Sequence, residues 1–116
     1  MARFAAILWT LLIFIACLWP GKELPQSNIP LIDKWVHFVL FAPFTFLWLC
    51  ANPPTTTKRY SMILLLGCFT GFMVEVLQFT LSFLGRSYDT LDIVADAIGA
   101  LLGVLLFALM ARLANK

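Results

Sequence analysis

Apolar residues run along this chain in four long stretches, at 4–20, 34–51, 61–84 and 91–113, and the segments between them are short and more polar. Crossing a hydrocarbon core of about 30 Å takes roughly 20 helical residues. Each stretch therefore predicts a membrane-spanning helix, and Pro43 predicts a kink in the second one. Short connections make neighbouring helices antiparallel and leave no room for a soluble domain. The clearest break is NPPTTTKRY at residues 52–60, which separates the two hairpins. The pattern predicts an all-α polytopic membrane protein in which residues 1–116 form a single antiparallel bundle, with no internal repeat or low-complexity tract.

Composition agrees, because a chain that is 62% hydrophobic and 12% charged cannot furnish an ordinary soluble surface. Charge then sets orientation, since Lys and Arg are retained on the cytoplasmic side near span ends. Arg3, Lys58, Arg59, Arg112 and Lys116 fall on one side of the predicted bundle, which puts the N- and C-termini in the cytoplasm. Lys22, Lys34 and Arg86 oppose this, but each has acidic neighbours, and every Asp and Glu maps to the outer half. Trp19, Trp35 and Tyr88 near the outer ends, with Trp48 and Tyr60 near the inner ones, suit interfacial belts. A net charge of +2 spread over membrane ends gives no support to nucleic-acid binding.

FIAC at residues 14–17 is a poor lipoprotein cleavage box, with Phe14 unfavourable at its first position. Losing the first helix would also leave three spans with their ends on opposite sides. The first helix is therefore expected to stay. Cys17, Cys50 and Cys68 are odd in number, lack metal-type spacing, and read as small packing residues inside apolar helices.

The apolar pattern is interrupted in two places by residues that share a helical face. In the third span Gly67, Gly71, Glu75, Gln78 and Ser82 form one stripe; in the fourth, Asp89, Asp92, Asp96, Gly99 and Gly103 form another. If the two stripes face each other, the glycines meet toward the cytoplasm, and Glu75, Gln78 and Ser82 come level with Asp96, Asp92 and Asp89. The glycines read as packing positions, because a missing Cβ lets helices approach closely where lipid offers no hydrophobic advantage.

The polar ends need another account. A charge at the bilayer centre costs about 2.5 to 3.5 kcal/mol even on lenient scales. With the third span running to Leu84, Glu75 lies about 13 Å below its outer end. Asp33 and His37 are four residues apart on the second span, with Lys34 beside them, and supply a third wall. The expected cluster is Asp33, Lys34, His37, Glu75, Gln78, Arg86, Asp89, Asp92 and Asp96.

DKWVHFVLFAPF at 33–44, GFMVEVLQF at 71–79 and GRSYDTLDIVADAIGALLG at 85–103 resemble the VanZ-like family of small bacterial integral membrane proteins. The likeness lies in the order and spacing: DK then two residues then H, E then two residues then Q, and R followed by a D-x-x-x-[ND]-x-x-G helix start. The family usually carries Asn where this chain has Asp96, so the chain adds a carboxylate. The resemblance implies a multi-pass protein of the cytoplasmic membrane. It also brings an association with glycopeptide resistance, since the family takes its name from a member that gives low-level teicoplanin resistance.

Five acids against Lys34, Arg86 and His37 make the cluster acid-rich. Three readings follow. Ion pairs can fix which helices adjoin. An outward-facing polar pocket can take a lipid headgroup, a cell-wall precursor or an amphipathic drug, with Arg86 holding a phosphate or carboxylate or the acids holding an amine. A small membrane enzyme or proton-coupled transporter can use Glu75 and His37 as proton carriers. Catalysis has little sequence support: there is no nucleophile elbow, no HExxH and no phosphate loop. One His among carboxylates is a weak basis for a metal, so no metal and no cofactor is expected. Transport through four spans would need an oligomer. The expected partners are membrane lipids and a lipid-linked or lipopeptide ligand.

Overall fold

The computed structural model describes residues 1–19, 32–53, 56–81 and 90–115. Four helices are found among them and no strand: α1 (Ala2–Cys17), α2 (Ile32–Ala51), α3 (Thr57–Thr80) and α4 (Thr90–Ala114). α2, α3 and α4 are each long and apolar enough to cross a membrane, while α1 is a shorter apolar helix of 16 residues.

Burial is inverted relative to a soluble protein. Phe4, Leu11 and Ile15 on α1, Leu65, Phe69 and Phe79 on α3, and Leu101, Leu105 and Leu109 on α4 are exposed, whereas His37, Thr45, Thr70, Glu75, Gln78, Asp92 and Asp96 are buried. Apolar side chains facing out and polar ones facing in is what a lipid solvent selects, because polar groups in hydrocarbon must find protein partners. An apolar knot of Ile13, Cys17, Leu40, Phe41, Phe44 and Val74 joins α1, α2 and α3, with Trp9, Phe14 and Trp48 packed against it. Indole N–H groups reinforce it: Trp9 Nε1 donates to the Leu40 carbonyl at 2.6 Å, and Trp48 Nε1 to Thr10 Oγ1 at 3.0 Å.

Helix bounds differ from the apolar pattern mainly in α3, which begins at Thr57 and ends at Thr80 rather than spanning 61–84. Its first turn holds Lys58 and Arg59, whose aliphatic stems allow charged heads to reach a polar boundary from inside a helix. Glu75 therefore lies about 7.5 Å from the end of α3. α2 continues through Pro43. The ring removes one helical N–H, so the Val39 carbonyl loses its usual donor.

The most extensive packing is between α2 and α4, with α3 on α4 and α1 on α2 next. Both glycines of the α4 stripe serve the first of these seams. A Cβ on Gly99 would come within 2.5 Å of the Phe38 carbonyl oxygen, and one on Gly103 would overlap the Ala42 carbonyl and Thr45 Oγ1. At the same seam Thr45 donates to the Ala100 carbonyl at 2.8 Å. Contacts advance together along both chains, from Phe38 with Gly99 to Ala42 with Gly103, so α2 and α4 run parallel.

The two small-residue stripes therefore do not face one another as the sequence suggested. Gly67 meets Ala100 and Thr45, and Gly71 meets Asp96. The α3–α4 register is about one turn away from the expected one. Periodicity reveals which residues share a face; the size of the facing side chains decides which helix lies against it.

Candidate functional site

The polar cluster forms at the end of the bundle where α2 and α4 begin and α3 ends. Lys34 and His37 lie three residues apart near the start of α2, and Asp92 and Asp96 four apart near the start of α4, so each pair shares a helical face. Because the two helices run parallel with glycine contact one turn further along, these faces meet directly. Lys34 Nζ lies 2.7 Å from Asp92 Oδ1, and His37 Nδ1 lies 2.8 Å from Asp96 Oδ1. The other imidazole nitrogen, Nε2, lies 3.6 Å from Asp92 Oδ2. His37 is thus bracketed by two aspartates one helical turn apart.

α3 closes the third side. Its register places Gly71 against Asp96, which carries Glu75, one turn later, to the level of Asp92. Glu75 is completely buried. One ligand-type atom each from His37, Glu75 and Asp92 lie within 4.8 Å of one another. An ionised carboxylate only accepts hydrogen bonds, so with Asp96 charged its contact places a hydrogen on Nδ1, and in the neutral imidazole the lone pair is then on Nε2, the nitrogen 3.6 Å from Asp92 Oδ2.

Gln78 does a different job. It shares the Glu75 face, but its Nε2 donates to the Cys17 carbonyl at 2.7 Å. Cys17 is the last residue of α1, and the last carbonyls of a helix lack an intrahelical donor. Gln78 therefore ties α3 to the end of α1. Its Oε1, like Asp96 Oδ2, is buried without a hydrogen-bond partner among the described residues.

Of the nine residues expected to cluster, Lys34, His37, Glu75, Asp92 and Asp96 come together and Gln78 borders them. Arg86, Asp89 and the Asp33 side chain lie outside the described residues. Among the described residues the cluster holds three buried carboxylates against one lysine and one histidine. Thr45 and the Cys17 carbonyl were not singled out from sequence. Thr45 is an isolated hydroxyl in an apolar run, and a backbone carbonyl has no sequence signature beyond ending a helix.

No curated protein and no solved structure matches this chain. The VanZ/LLP1 family profile matches residues 3–111, a range that contains His37, Glu75, Gln78, Asp92, Asp96 and nearly all of the four helices that carry them. This chain is an all-helical, multi-pass membrane protein and belongs to the VanZ/LLP1 family.

Proposed function

We propose that this protein modulates the cell envelope from the bacterial cytoplasmic membrane, and that its acid-rich cluster takes the cationic head of an amphiphile entering from the outer leaflet. Such a role would alter susceptibility to glycopeptide or lipopeptide antibiotics. One observation carries the reading: Glu75, Asp92 and Asp96, three carboxylates from two helices, are buried together beside Lys34 and His37. Buried charge is costly in a membrane, and packed apolar residues would serve stability as well or better. An ammonium group would pair with these carboxylates, and an acyl chain would enter the bilayer beside it. The positive-inside pattern of the sequence supports an outward orientation for this end of the bundle.

The experiment compares a deletion strain with strains expressing the wild type and Glu75→Gln at equal membrane levels, over a panel of lipidated glycopeptides and cationic lipopeptides. Deletion is expected to change the inhibitory concentration at least about fourfold for acyl-bearing members, and Glu75→Gln to behave like the deletion. Unchanged susceptibility across the panel would overturn the reading.

A second reading has its own observation. His37 has Asp96 hydrogen-bonded at Nδ1 and Asp92 3.6 Å from Nε2, and an imidazole placed between two carboxylates is suited to moving a proton. It supports a small membrane enzyme or a proton-coupled transporter acting on a lipid-linked substrate. Turnover of such a substrate, or uptake abolished by a protonophore, would favour it.

A further inference from the structure

We infer that His37, Glu75 and Asp92 bind one divalent transition-metal ion, of the Mn²⁺ or Zn²⁺ kind. This goes beyond the envelope reading and does not depend on it.

The donor set comes first. One imidazole nitrogen and two carboxylate oxygens from three different helices lie within 4.8 Å of one another, and all three residues are buried. Donors around one tetrahedral ion with bonds of 2.0 to 2.2 Å lie about 3.3 to 3.6 Å apart, so the widest pair of the trio closes onto an ion by about 1.2 Å at most. The Nε2 to Asp92 Oδ2 distance of 3.6 Å already falls in that range. Imidazole with carboxylates favours Mn²⁺, Fe²⁺, Co²⁺ or Zn²⁺ over Mg²⁺ and Ca²⁺, which prefer all-oxygen shells.

The surroundings point the same way. A histidine that ligates through one nitrogen almost always gives its other N–H to a carboxylate or carbonyl, which fixes the tautomer and aims the lone pair. Asp96 stands in that position at 2.8 Å from Nδ1. Asp92 is similarly divided: Oδ1 is held by Lys34 at 2.7 Å, and Oδ2 is turned toward the imidazole. Asp96 Oδ2 rests against Gly71, one turn from Glu75 on the same face of α3, with no hydrogen-bond partner among the described residues. A water on the ion would satisfy it.

Charge completes the argument. A divalent cation also suits the chemistry of two carboxylates facing one imidazole, since each carboxylate is an anionic oxygen donor. Three protein ligands leave positions open for water or for an oxygen of a further ligand.

The test uses the full-length protein in detergent, stripped with EDTA and then exchanged into buffer with a slight excess of Zn²⁺ or Mn²⁺. Metal retained through gel filtration is counted by mass spectrometry, and the unfolding temperature is read beside it. About one ion per chain and a rise of several degrees are expected. Glu75→Gln should lose stoichiometric metal. Asp96→Asn, which leaves all three ligands in place, should weaken binding about 10- to 100-fold. Substoichiometric metal in the wild type with an unmoved unfolding temperature would overturn the inference, as would equal retention by both variants. Metal content is read without any antibiotic, so its failure and that of the envelope reading are separable.

Discussion

Gly71 of α3 lies against the carboxylate of Asp96 on α4, where an added Cβ would come within 2.7 Å of Oδ2 and 2.8 Å of the aspartate Cβ. The glycine thus sets how deeply the acid can sit and where its other oxygen meets His37. Gly71→Ala is expected to push the Asp96 side chain aside and cost about 1 to 3 kcal/mol, as overpacking does. Thermal unfolding in detergent checks this. In an Asp96→Gly background, which removes Oδ2, Cγ and Cβ together, the same change should cost much less, because the clash is specific to that pair. Equal costs in both backgrounds would sink the assignment.

The His37–Asp96 contact joins two fully buried groups at 2.8 Å, so removing one partner strands the other. With metal chelated, His37→Phe is expected to lose about 3 to 5 kcal/mol, the usual consequence of leaving a buried charge uncompensated. Asp96→Asn keeps an oxygen acceptor for Nδ1–H and should lose no more than about 1 kcal/mol. The relevant outcome is the ranking of the two unfolding temperatures, and an Asn variant as unstable as the Phe variant would refute it.

Gln78 and Cys17 make the polar tie between α1 and α3. Gln78→Leu removes the donor to a buried helix-end carbonyl and should cost about 1 to 3 kcal/mol. Gln78→Glu should cost more, because a carboxylate cannot donate to a carbonyl and adds charge. Loosening of α1 has a direct readout, since Cys17 is buried in the apolar knot. Maleimide labelling of Cys17, in a protein whose other two cysteines are replaced by alanine, is expected to be slow in the wild type and fast in both variants.

Much of this arrangement was legible in the sequence. Long apolar runs define the helices because the bilayer forces backbone groups to pair internally. The polar interruptions Lys34, His37, Glu75, Asp92 and Asp96 stood out because charge is expensive there. Their actual pairing was not legible. The stripes on α3 and α4 looked complementary, yet Gly99 and Gly103 admit the α2 backbone, while Gly67 and Gly71 receive Ala100 and Asp96. A helix face has no address of its own, and contact with α2 depends on all three helices packing together.

Orientation rests on basic residues at one end. Lys58 and Arg59 in the first turn of α3 and Arg112 in the last turn of α4 lie at the same end of the bundle as Arg3. The positive-inside rule predicts that this end is cytoplasmic. A fluorescent protein fused after Lys116 should fluoresce, and an alkaline phosphatase fused there should be inactive. The opposite pair of results would invert the bundle and turn the acid cluster toward the cytoplasm, removing the basis for an outer-leaflet ligand.

The glycines of α4 should prove more sensitive than those of α3, because of what each one touches. Gly99 and Gly103 press on the Phe38 and Ala42 carbonyls of α2, whereas Gly67 meets the Ala100 and Thr45 side chains. Neither a backbone carbonyl nor the Ala100 Cβ can turn away from an added methyl, but the overlap at Gly103 is far deeper than the 2.8 Å approach at Gly67. Gly103→Ala must move the helices apart, and separation also stretches the Thr45–Ala100, His37–Asp96 and Lys34–Asp92 contacts on the same seam. The expected order of destabilisation is Gly103→Ala above Gly67→Ala, by about 1 kcal/mol or more given overpacking costs of this size. Unfolding temperatures measured side by side decide it. A Gly103→Ala protein as stable as Gly67→Ala would mean that α2 and α4 do not approach this closely, and that the polar contacts built on that approach need another geometry.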